Sequence, residues 1–204
     1  MKLNVVQGGG CVSNKEAIME ATIALINEKE DRIEEITMRE ISKRAGVGLG
    51  LINYHFENKE KLIEACVERI IHGIVEKFRT IGEQTKGRTP FEKLDYLGNM
   101  TLTFLFEHQA VSKISILSDM RFPQEADNTQ RTIQAFLPLV AQCRPDWDEE
   151  KVRKMTFYLI SCMQLAFLRH EMLLKTQGID LKDPQERKEF HTKMLNSLIG
   201  TERG

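Results

Sequence analysis

Side chains that could act as nucleophiles, general bases or metal ligands are dispersed along the sequence. The five histidines are scattered, and none of the four cysteines forms a C-x-x-C pair. Glu107 is followed by His108, and His170 by Glu171, but adjacent residues point to different faces of a helix. H-E-x-x-H, nucleophile-elbow, phosphate-loop and dinucleotide-binding motifs are also missing from the sequence. We therefore expect a protein that is not an enzyme, without catalytic residues, a metal site or a cofactor.

Composition and charge are those of an ordinary globular chain. Of its 204 residues, 41% are hydrophobic and 29% are charged, and the formal net charge is −1. Between Thr37 and Leu62, five basic side chains stand against three acidic ones, a modest local excess that is compatible with phosphate contacts. We find neither a secretion signal nor an apolar run of membrane-spanning length. The expectation is a cytoplasmic protein with reduced thiols and no membrane partner.

Apolar side chains recur at helical spacing near the start of the chain. From Ile18 to Ile26 they fall at i, i+3, i+4, i+7 and i+8, which predicts one buried face of a first helix. Ser13 or Asn14 can cap this helix. Residues 1–12 have the composition of a flexible arm, and the charged stretch over 28–35 is expected to be a solvated connection.

Two short helices follow, joined by a tight turn. Thr37, with Glu40 three residues later, has the capping-box spacing that starts a helix. Gly46 lies where a turn between helices requires a residue that tolerates positive φ. The next helix is predicted over Val47–Phe56, and its glycines mean that packing rather than helix propensity must stabilise it.

The remainder of the chain predicts further helices. A long helix is capped by Asn58 and runs to about Ile81, with a loop over 82–89. Later helix starts combine a capping residue with a proline or an acidic residue in the first turn. These helices are predicted to begin at Thr89, to span Ser112–Met120 and Pro123–Cys143, to run from Asp146 or Asp148 to roughly Lys175, and to begin at Asp183. The fold class is therefore all-α.

The two short helices joined by Ala45-Gly46 have the spacing of a helix-turn-helix, whose second helix lies in the DNA major groove. With the first helix included, a run of about 45 residues closely resembles the DNA-binding head of the TetR family of transcriptional regulators. The resemblance is carried by Ile18-x-x-Ala21-Thr22-x-x-Leu25-Ile26, Thr37-Met38-Arg39-Glu40-Ile41-Ser42-x-x-Ala45-Gly46-Val47-Gly48-x-Gly50 and Ile52-Asn53-Tyr54-His55-Phe56-x-Asn58-Lys59-x-x-Leu62.

The resemblance implies a division of the chain. After the arm (1–12), residues 13–57 would form a three-helix DNA-binding domain. Residues 58–204 would form a larger helical domain that dimerises and binds a small-molecule effector. An αα-hairpin with no DNA-binding role is the alternative for the head.

Contacts to the DNA backbone are expected from both ends of the head. Thr37 stands at a helix N-terminus, where its hydroxyl and nearby amide groups can hold a phosphate, and Arg39 can reach a phosphate or a base edge. Tyr54 and His55 resemble the family's phosphate-contacting aromatic–histidine pair, and Lys59 its phosphate-binding lysine. Alternatively, the tyrosine is an aromatic at the edge of the core and the histidine packs within the head.

Contacts to the bases are expected from the third helix. Asn53 is the best candidate, because an asparagine amide can pair with adenine through two hydrogen bonds, and Leu49 can contact a thymine methyl group. Gly48 and Gly50 would let the backbone approach the duplex closely. Many family members have tyrosine in place of Asn53 and side chains where the two glycines stand, which suggests weaker direct readout here.

The effector pocket has less support from the sequence. Methionine and aromatic residues at helical spacing supply the material for it, although such residues are more often core than pocket lining. The candidate lining residues are Met100, Phe104, Met120, Phe122, Phe157, Cys162, Met163 and Phe167.

Two helices are expected to carry the dimer interface. The stretch from 155 to 175 and the last helix have more apolar surface than one small domain can cover, which predicts a two-fold helix bundle; intradomain core is the alternative. The predicted function is a repressor that binds a palindromic operator as a homodimer and is released by an effector. The alternatives are a helical dimer without operator binding, with a small-molecule-binding or enzymatic role, and a metal or redox sensor that uses Cys143 or Cys162.

Overall fold

The computed structural model describes residues 13–78 and 85–200, and within these ranges the chain is all-α, as the sequence predicts. It forms two compact units that divide between Cys66 and Val67, inside the fourth helix. The helices are α1 (Asn14–Lys29), a 3-10 helix (Glu30–Glu35), α2 (Met38–Ala45), α3 (Leu49–Phe56), α4 (Lys59–Phe78), α5 (Pro90–Glu107), α6 (Gln109–Arg121), α7 (Asn128–Cys143), α8 (Glu149–Leu168), α9 (His170–Gln177) and α10 (Pro184–Ile199). The predicted arm (1–12), the end of the fourth helix near Ile81 and the first part of the loop over 82–89 lie outside the described residues.

The core of the first unit is built by α1, α2 and α3. The predicted face of α1, from Ile18 to Ile26, is buried, and Ile41 and Ile52 pack against it from the following helices. The prediction for the connection over 28–35 is wrong in part. The connection forms a 3-10 helix over Glu30–Glu35. Its one apolar side chain, Ile33, is buried in the core although its neighbours in the sequence are charged.

Four predicted helix boundaries are wrong. The sixth helix begins at Gln109 rather than Ser112, directly after His108, the residue that ends α5. The third helix begins at Leu49 rather than Val47, because Gly48 is the N-cap residue and has extended backbone. The seventh begins at Asn128 rather than Pro123, because the carboxylate of Asp127 accepts the Gln130 amide at 2.8 Å and caps the helix there.

The fourth error concerns the helix predicted to reach Lys175, which is interrupted at Arg169. This residue leaves helical geometry (φ −111°, ψ 16°), and α9 begins at the next residue. The break brings the His170 ring into the core, where it packs edge-on against Phe106 and its Nδ1 lies 2.8 Å from the carbonyl oxygen of Phe167. The start of the helix is as predicted, with Asp148 as its cap.

The second unit has a core shared by α5, α7, α8 and α10. α5 starts at the predicted capping box, in which the Thr89 hydroxyl accepts the Glu92 amide and the Glu92 carboxylate accepts the Thr89 amide. α10 starts at Asp183, also as predicted. The largest fully buried side chains of this unit are Phe136 and Phe167.

α5 and α10 approach closely where Gly98 faces His191. The histidine is fully buried (0% exposed), and its Nδ1 lies 3.1 Å from a carboxylate oxygen of Asp95. This hydrogen bond lowers the pKa of Asp95 below its ordinary value. A Cβ on Gly98 would lie 2.0 Å from the histidine Nε2, so the two helices can meet here only because residue 98 has no side chain.

We expect Gly98→Ala to destabilise the protein by about 2 kcal/mol or more, because the buried ring cannot move aside without breaking its bond to Asp95. The measurement is urea unfolding of the full chain. Gly73→Ala in α4 is the matched control: a Cβ there meets nothing within 4 Å, and alanine's helix propensity should add up to about 1 kcal/mol. Equal stability of the two variants would contradict the steric argument.

Candidate functional site

The turn between α2 and α3 fixes the direction of the third helix. Gly46 adopts the left-handed conformation (φ 68°, ψ 28°), and its amide donates to the Ser42 carbonyl. The Ser42 hydroxyl donates to the carbonyl oxygen of Val47 at 2.6 Å, and the Val47 amide returns a bond to the Ser42 carbonyl at 3.2 Å. This set of bonds closes the turn, and glycine is required at its centre because other residues pay a steric cost at positive φ.

The start of α2 is held by the predicted capping box and by an ion pair. The Thr37 hydroxyl accepts the Glu40 amide at 3.2 Å and donates to the Glu40 carboxylate at 2.9 Å. The Lys29 ammonium binds the same carboxylate at 2.9 Å. The hydrogen bond from Lys29, together with the bonds from Thr37, lowers the pKa of Glu40 from 4.5 to about 2. The Thr37 hydroxyl, which is predicted to contact a phosphate, therefore already donates to Glu40.

α3 has one buried face and one open face. Ile52 and Phe56 point into the core, whereas Leu49 and Asn53 are exposed. Gly48 and Gly50 are exposed too, with nothing within 4 Å of the position that a Cβ would occupy. The structure thus places four of the predicted base-reading positions together on an open surface.

Tyr54 and His55 lie beside this surface. The tyrosine is 81% exposed, which contradicts the alternative that it is an aromatic at the core edge. Its ring meets the His55 ring edge-on, with 5.1 Å between centroids, and the histidine is half-buried. The tyrosine hydroxyl is therefore presented to solvent beside the open face of α3.

The basic side chains of the head are not equally available. Arg44 makes two hydrogen bonds of 2.6 Å to the Glu28 carboxylate, and Lys61 lies 3.4 Å from Glu64. Both acidic partners lie outside the stretch counted in the sequence, so that count overstates the charge available to DNA. Lys59 donates to the carbonyl oxygen of Glu34 at 3.1 Å. Arg39 is exposed.

The turn between α3 and α4 is strained at Glu57. This residue has positive φ (φ 60°, ψ −57°), and the amide of Asn58 reaches back to the Phe56 carbonyl at 2.5 Å. Such a γ-turn is rare because it is strained for residues other than glycine. The Asn58 side chain then caps α4 by accepting the Lys61 amide at 2.9 Å, as predicted.

We expect the acid sensitivity of the head to depend on Glu40. Its pKa is lowered from 4.5 to about 2, so its ionised form stabilises the fold above pH 4.5, and this stabilisation is lost as the pH falls from 4.5 towards 2. Thermal unfolding of the full chain should show that wild type loses stability more steeply over this interval than Glu40→Gln. Parallel pH profiles would contradict the role given to the capping box and the Lys29 ion pair.

The second unit contains a small, partly open cavity of about 50 Å³ between α4, α5, α6, α7 and α8. One part of its wall is apolar and includes Ile71, Val75 and Ile160. The other part is polar, with Asp119 as the one ionisable side chain among the described lining residues. Burial raises the pKa of this carboxyl above its ordinary 3.8, although hydrogen bonds from Thr129 lower it in part.

The eight predicted pocket residues do not lie together. Phe104 and Met163 line the cavity, Cys162 lines a separate groove, and Phe167 is fully buried in the core. Met100 is a half-buried side chain packed against that core. Three others are exposed on the outer surface: Met120, Phe122 and Phe157.

The polar wall of the cavity was not among the features predicted from the sequence, although the sequence contains a signal for it. Ser112, Ser115 and Asp119 are spaced i, i+3 and i+7 along α6, so they share one helix face, and each of them lines the cavity. Polar side chains on a face that also carries buried Ile116 indicate a polar lining rather than solvent exposure.

A metal centre and a membrane-spanning helix are both absent from residues 13–78 and 85–200. No cluster of three or more histidine, cysteine, aspartate or glutamate side chains in these ranges could hold a metal ion. The helices found there are all too short or too polar to span a membrane.

Comparison with known proteins identifies the head. The family model described as "Bacterial regulatory proteins, tetR family" matches residues 18–66, which cover the buried face of α1, the turn and α3. Over these residues the chain is similar to the DNA-binding head of the TetR family. The match ends at Cys66, which is also the last residue of the first compact unit.

Curated transcriptional regulators are similar to part of this chain. The HTH-type transcriptional regulator BetI of Yersinia pestis is 36% identical over 72 residues, which are 35% of this chain and 32% of BetI. The probable HTH-type transcriptional regulator YttP of Bacillus subtilis is 28% identical over 102 residues, 50% of this chain and 48% of YttP. The chain thus matches less than half the length of either relative.

Solved structures share the fold over nearly the whole chain. Thermus thermophilus FadR, a TetR-family transcriptional repressor solved with lauroyl-CoA, has 19% identity and a TM-score of 0.65, with 93% of this chain and 97% of that chain covered. FadR of Bacillus subtilis, solved with stearoyl-CoA, has 17% identity and a TM-score of 0.54, with 91% and 98% covered. At such identities the likeness concerns the fold alone.

Proposed function

We propose that this protein is an effector-responsive transcriptional repressor that binds a palindromic DNA operator as a homodimer. The observation that carries the proposal is the open face of α3, which presents Leu49, Asn53 and two glycines beside an exposed tyrosine in a family-typical head. We assign DNA binding to residues 13–57 and effector binding and dimerisation to 58–204. Repression is supported by the similarly folded Thermus protein, which is itself a repressor.

In this proposal α3 enters the major groove. Asn53 pairs with an adenine, and Leu49 contacts a thymine methyl group. Gly48 and Gly50 bring the backbone close to the duplex, since no side chain stands in the way. These contacts read the sequence of the operator, whereas contacts to phosphates position the head on it.

The phosphates are held by the ends of the helices. Tyr54 donates its hydroxyl to one phosphate, with His55 beside it. At the start of α2, Arg39 and the first amide groups of the helix bind another, while Thr37 shapes the site through its bond to Glu40. Lys59 also binds a phosphate. In the unbound protein its ammonium group donates to the carbonyl oxygen of Glu34, and this hydrogen bond breaks when the phosphate binds.

We expect Asn53→Ala to weaken specific operator binding by about tenfold or more, the cost of one lost bidentate base contact. The measurement is fluorescence anisotropy with DNA fragments from around the protein's own gene, in the presence of excess nonspecific DNA. Arg39→Ala should weaken binding and reduce the slope against log salt by about one. Arg153→Ala on α8, an equal change of charge on an exposed side chain, is the control. Unchanged specific binding by both head variants would contradict the proposed surface.

The dimer is proposed to form through α8 and α10. Phe157, Tyr158 and Leu165 are exposed on the outer side of α8. Beside them, an open groove of about 920 Å³ runs between α8, α9 and α10 and includes Leu165 and Met194. Large apolar side chains that share one exposed surface indicate an interaction site. A second copy of the chain is the proposed occupant, since two heads on one operator multiply the affinity of one.

We expect Leu165→Glu to yield monomers, because the charge would be buried in the two-fold interface. Sedimentation velocity at micromolar concentration measures the change. Leu117→Glu on α6 is a matched control, with a side chain 53% exposed against 55% for Leu165. A dimer that survives Leu165→Glu, or one that is lost equally in the control, would contradict the assigned face.

Effector binding is proposed for the cavity of the second unit. Ile71, Ile74 and Val75 of α4 line it, and the first turn of the same helix, at Lys59, follows directly after α3 in the chain. A ligand that enlarges the cavity would displace α4 and favour a dimer whose two heads have a different spacing. The loss of operator affinity is then limited by the difference between the ligand's affinities for the two states.

A further inference from the structure

The polar wall of the cavity has already used most of its hydrogen-bond donors. The amide and hydroxyl of Thr129 both donate to one carboxylate oxygen of Asp119, each at 2.8 Å. Gln164 donates its side-chain amide to the Thr129 hydroxyl at 2.9 Å. The hydroxyl of Thr132 donates to the backbone carbonyl of Asn128 at 2.8 Å. Each hydroxyl has a single proton, so neither threonine can donate another hydrogen bond to a ligand.

Two polar atoms of the same wall are buried without a partner. The side chain of Asn128, 4% exposed, donates its amide to the Ser115 hydroxyl at 3.1 Å, but its carbonyl oxygen Oδ1 accepts no hydrogen bond from the described residues. The Oγ of fully buried Ser112 has no partner there either. An unsatisfied buried polar atom costs about 1–3 kcal/mol. Two of them on one small cavity therefore point to a bound partner.

The electrostatic environment of this wall is negative. Burial raises the pKa of Asp119, and the carboxylates of Asp127 and Glu68 raise it further. Arg131 lies 3.6 Å from Glu68 and offsets that charge in part. Of the two oxygens of Asp119, Oδ2 receives both bonds from Thr129, which leaves Oδ1 as an acceptor.

We propose that the effector is an organic cation of the amine type, with an apolar body and an N–H-bearing ammonium group that binds Asp119, Asn128 and Ser112. This inference rests on the proposed effector function of the cavity. Each unsatisfied acceptor on the polar wall takes one N–H, and the ammonium charge compensates the carboxylate. A carboxylate or phosphate head group in the same place would face the Asp119 charge and the lone pairs of the Asn128 carbonyl.

The apolar body of the ligand would lie along the hydrophobic part of the wall. That part is formed by Ile71, Ile74, Val75, Phe104, Ile160 and Met163. The cavity of about 50 Å³ is close in scale to the roughly 30 Å³ that one water occupies in the liquid. Binding of an alkyl chain therefore requires these side chains to move apart, and this enlargement is the movement that the proposed function assigns to α4.

The test uses three probes with the same chain and different head groups: hexylamine, hexanol and hexanoate. Binding to the full-length protein is measured near neutral pH, where hexylamine is protonated, by thermal shift and isothermal titration calorimetry. Hexylamine should bind at least about tenfold more tightly than hexanol, as expected for a charge-assisted hydrogen bond, and hexanoate most weakly. Equal or tighter binding of hexanol or hexanoate would overturn the inference.

Asp119→Asn tests the charge while it keeps an oxygen for the bonds from Thr129. This variant should lose the preference for hexylamine over hexanol, whereas Glu125→Gln, an exposed acidic residue outside the lining, should keep it. Ser112→Ala should raise the melting temperature of the unliganded protein, because it removes an unsatisfied hydroxyl, and should weaken hexylamine binding at least about threefold. A purely structural role for the serine would not produce this opposite pair of effects.

The remaining outcomes separate this inference from the proposed function. If none of the three compounds binds at millimolar concentration, the cavity serves only a trapped water and the inference is overturned. Operator binding, measured on the same protein samples, then shows independently whether the DNA-binding part of the proposed function holds. Loss of operator binding without loss of hexylamine selectivity would overturn the proposed function in its DNA-binding part and leave the ligand assignment intact.

Discussion

The reversal of the chain at Gly46 is the constraint on which the open face of α3 depends. Two helices of eight residues each must cross within a few residues, and only a left-handed residue in the turn permits this. The Ser42 hydroxyl then fixes the turn through the carbonyl of Val47. Once the turn is closed, Ile52 and Phe56 are directed into the core, and Leu49 and Asn53 face outward.

Side-chain caps at the helix N-termini determine where several helices begin in both units. Thr37, Thr89, Asp127, Asp148 and Asp183 each accept an amide of the helix that they precede. These bonds satisfy donors that would otherwise be unpaired, and they set where each helix begins. At Thr37 the capping box has a second consequence, because the Glu40 carboxylate accepts the proton of the hydroxyl for which a phosphate contact is predicted.

The second unit combines a close-packed core with a cavity whose polar wall is incompletely satisfied. The approach of Gly98 to His191 shows how tightly α5 and α10 are joined, with no room for a methyl group. Further along α5, the cavity retains two buried polar atoms without partners among the described residues and a carboxylate whose pKa is raised. These groups beside the cavity lower the stability of the folded protein. Such a loss of stability is consistent with selection for ligand binding at the cavity.

The sequence by itself determined the all-α class, the buried face of α1, the capped helix starts and the helix-turn-helix, because each of these depends on residues a few positions apart. The open face of α3 followed from the same short-range periodicity. Tertiary structure decided the rest. The break at Arg169 depends on His170 meeting Phe106, more than sixty positions earlier in the chain. The cavity forms where five helices meet, and its lining includes Asp119 and Asn128. Met120, Phe122 and Phe157, which were predicted to line a pocket, are exposed on the surface. Helical periodicity says which side chains share a face, but it does not say which other helix that face will meet.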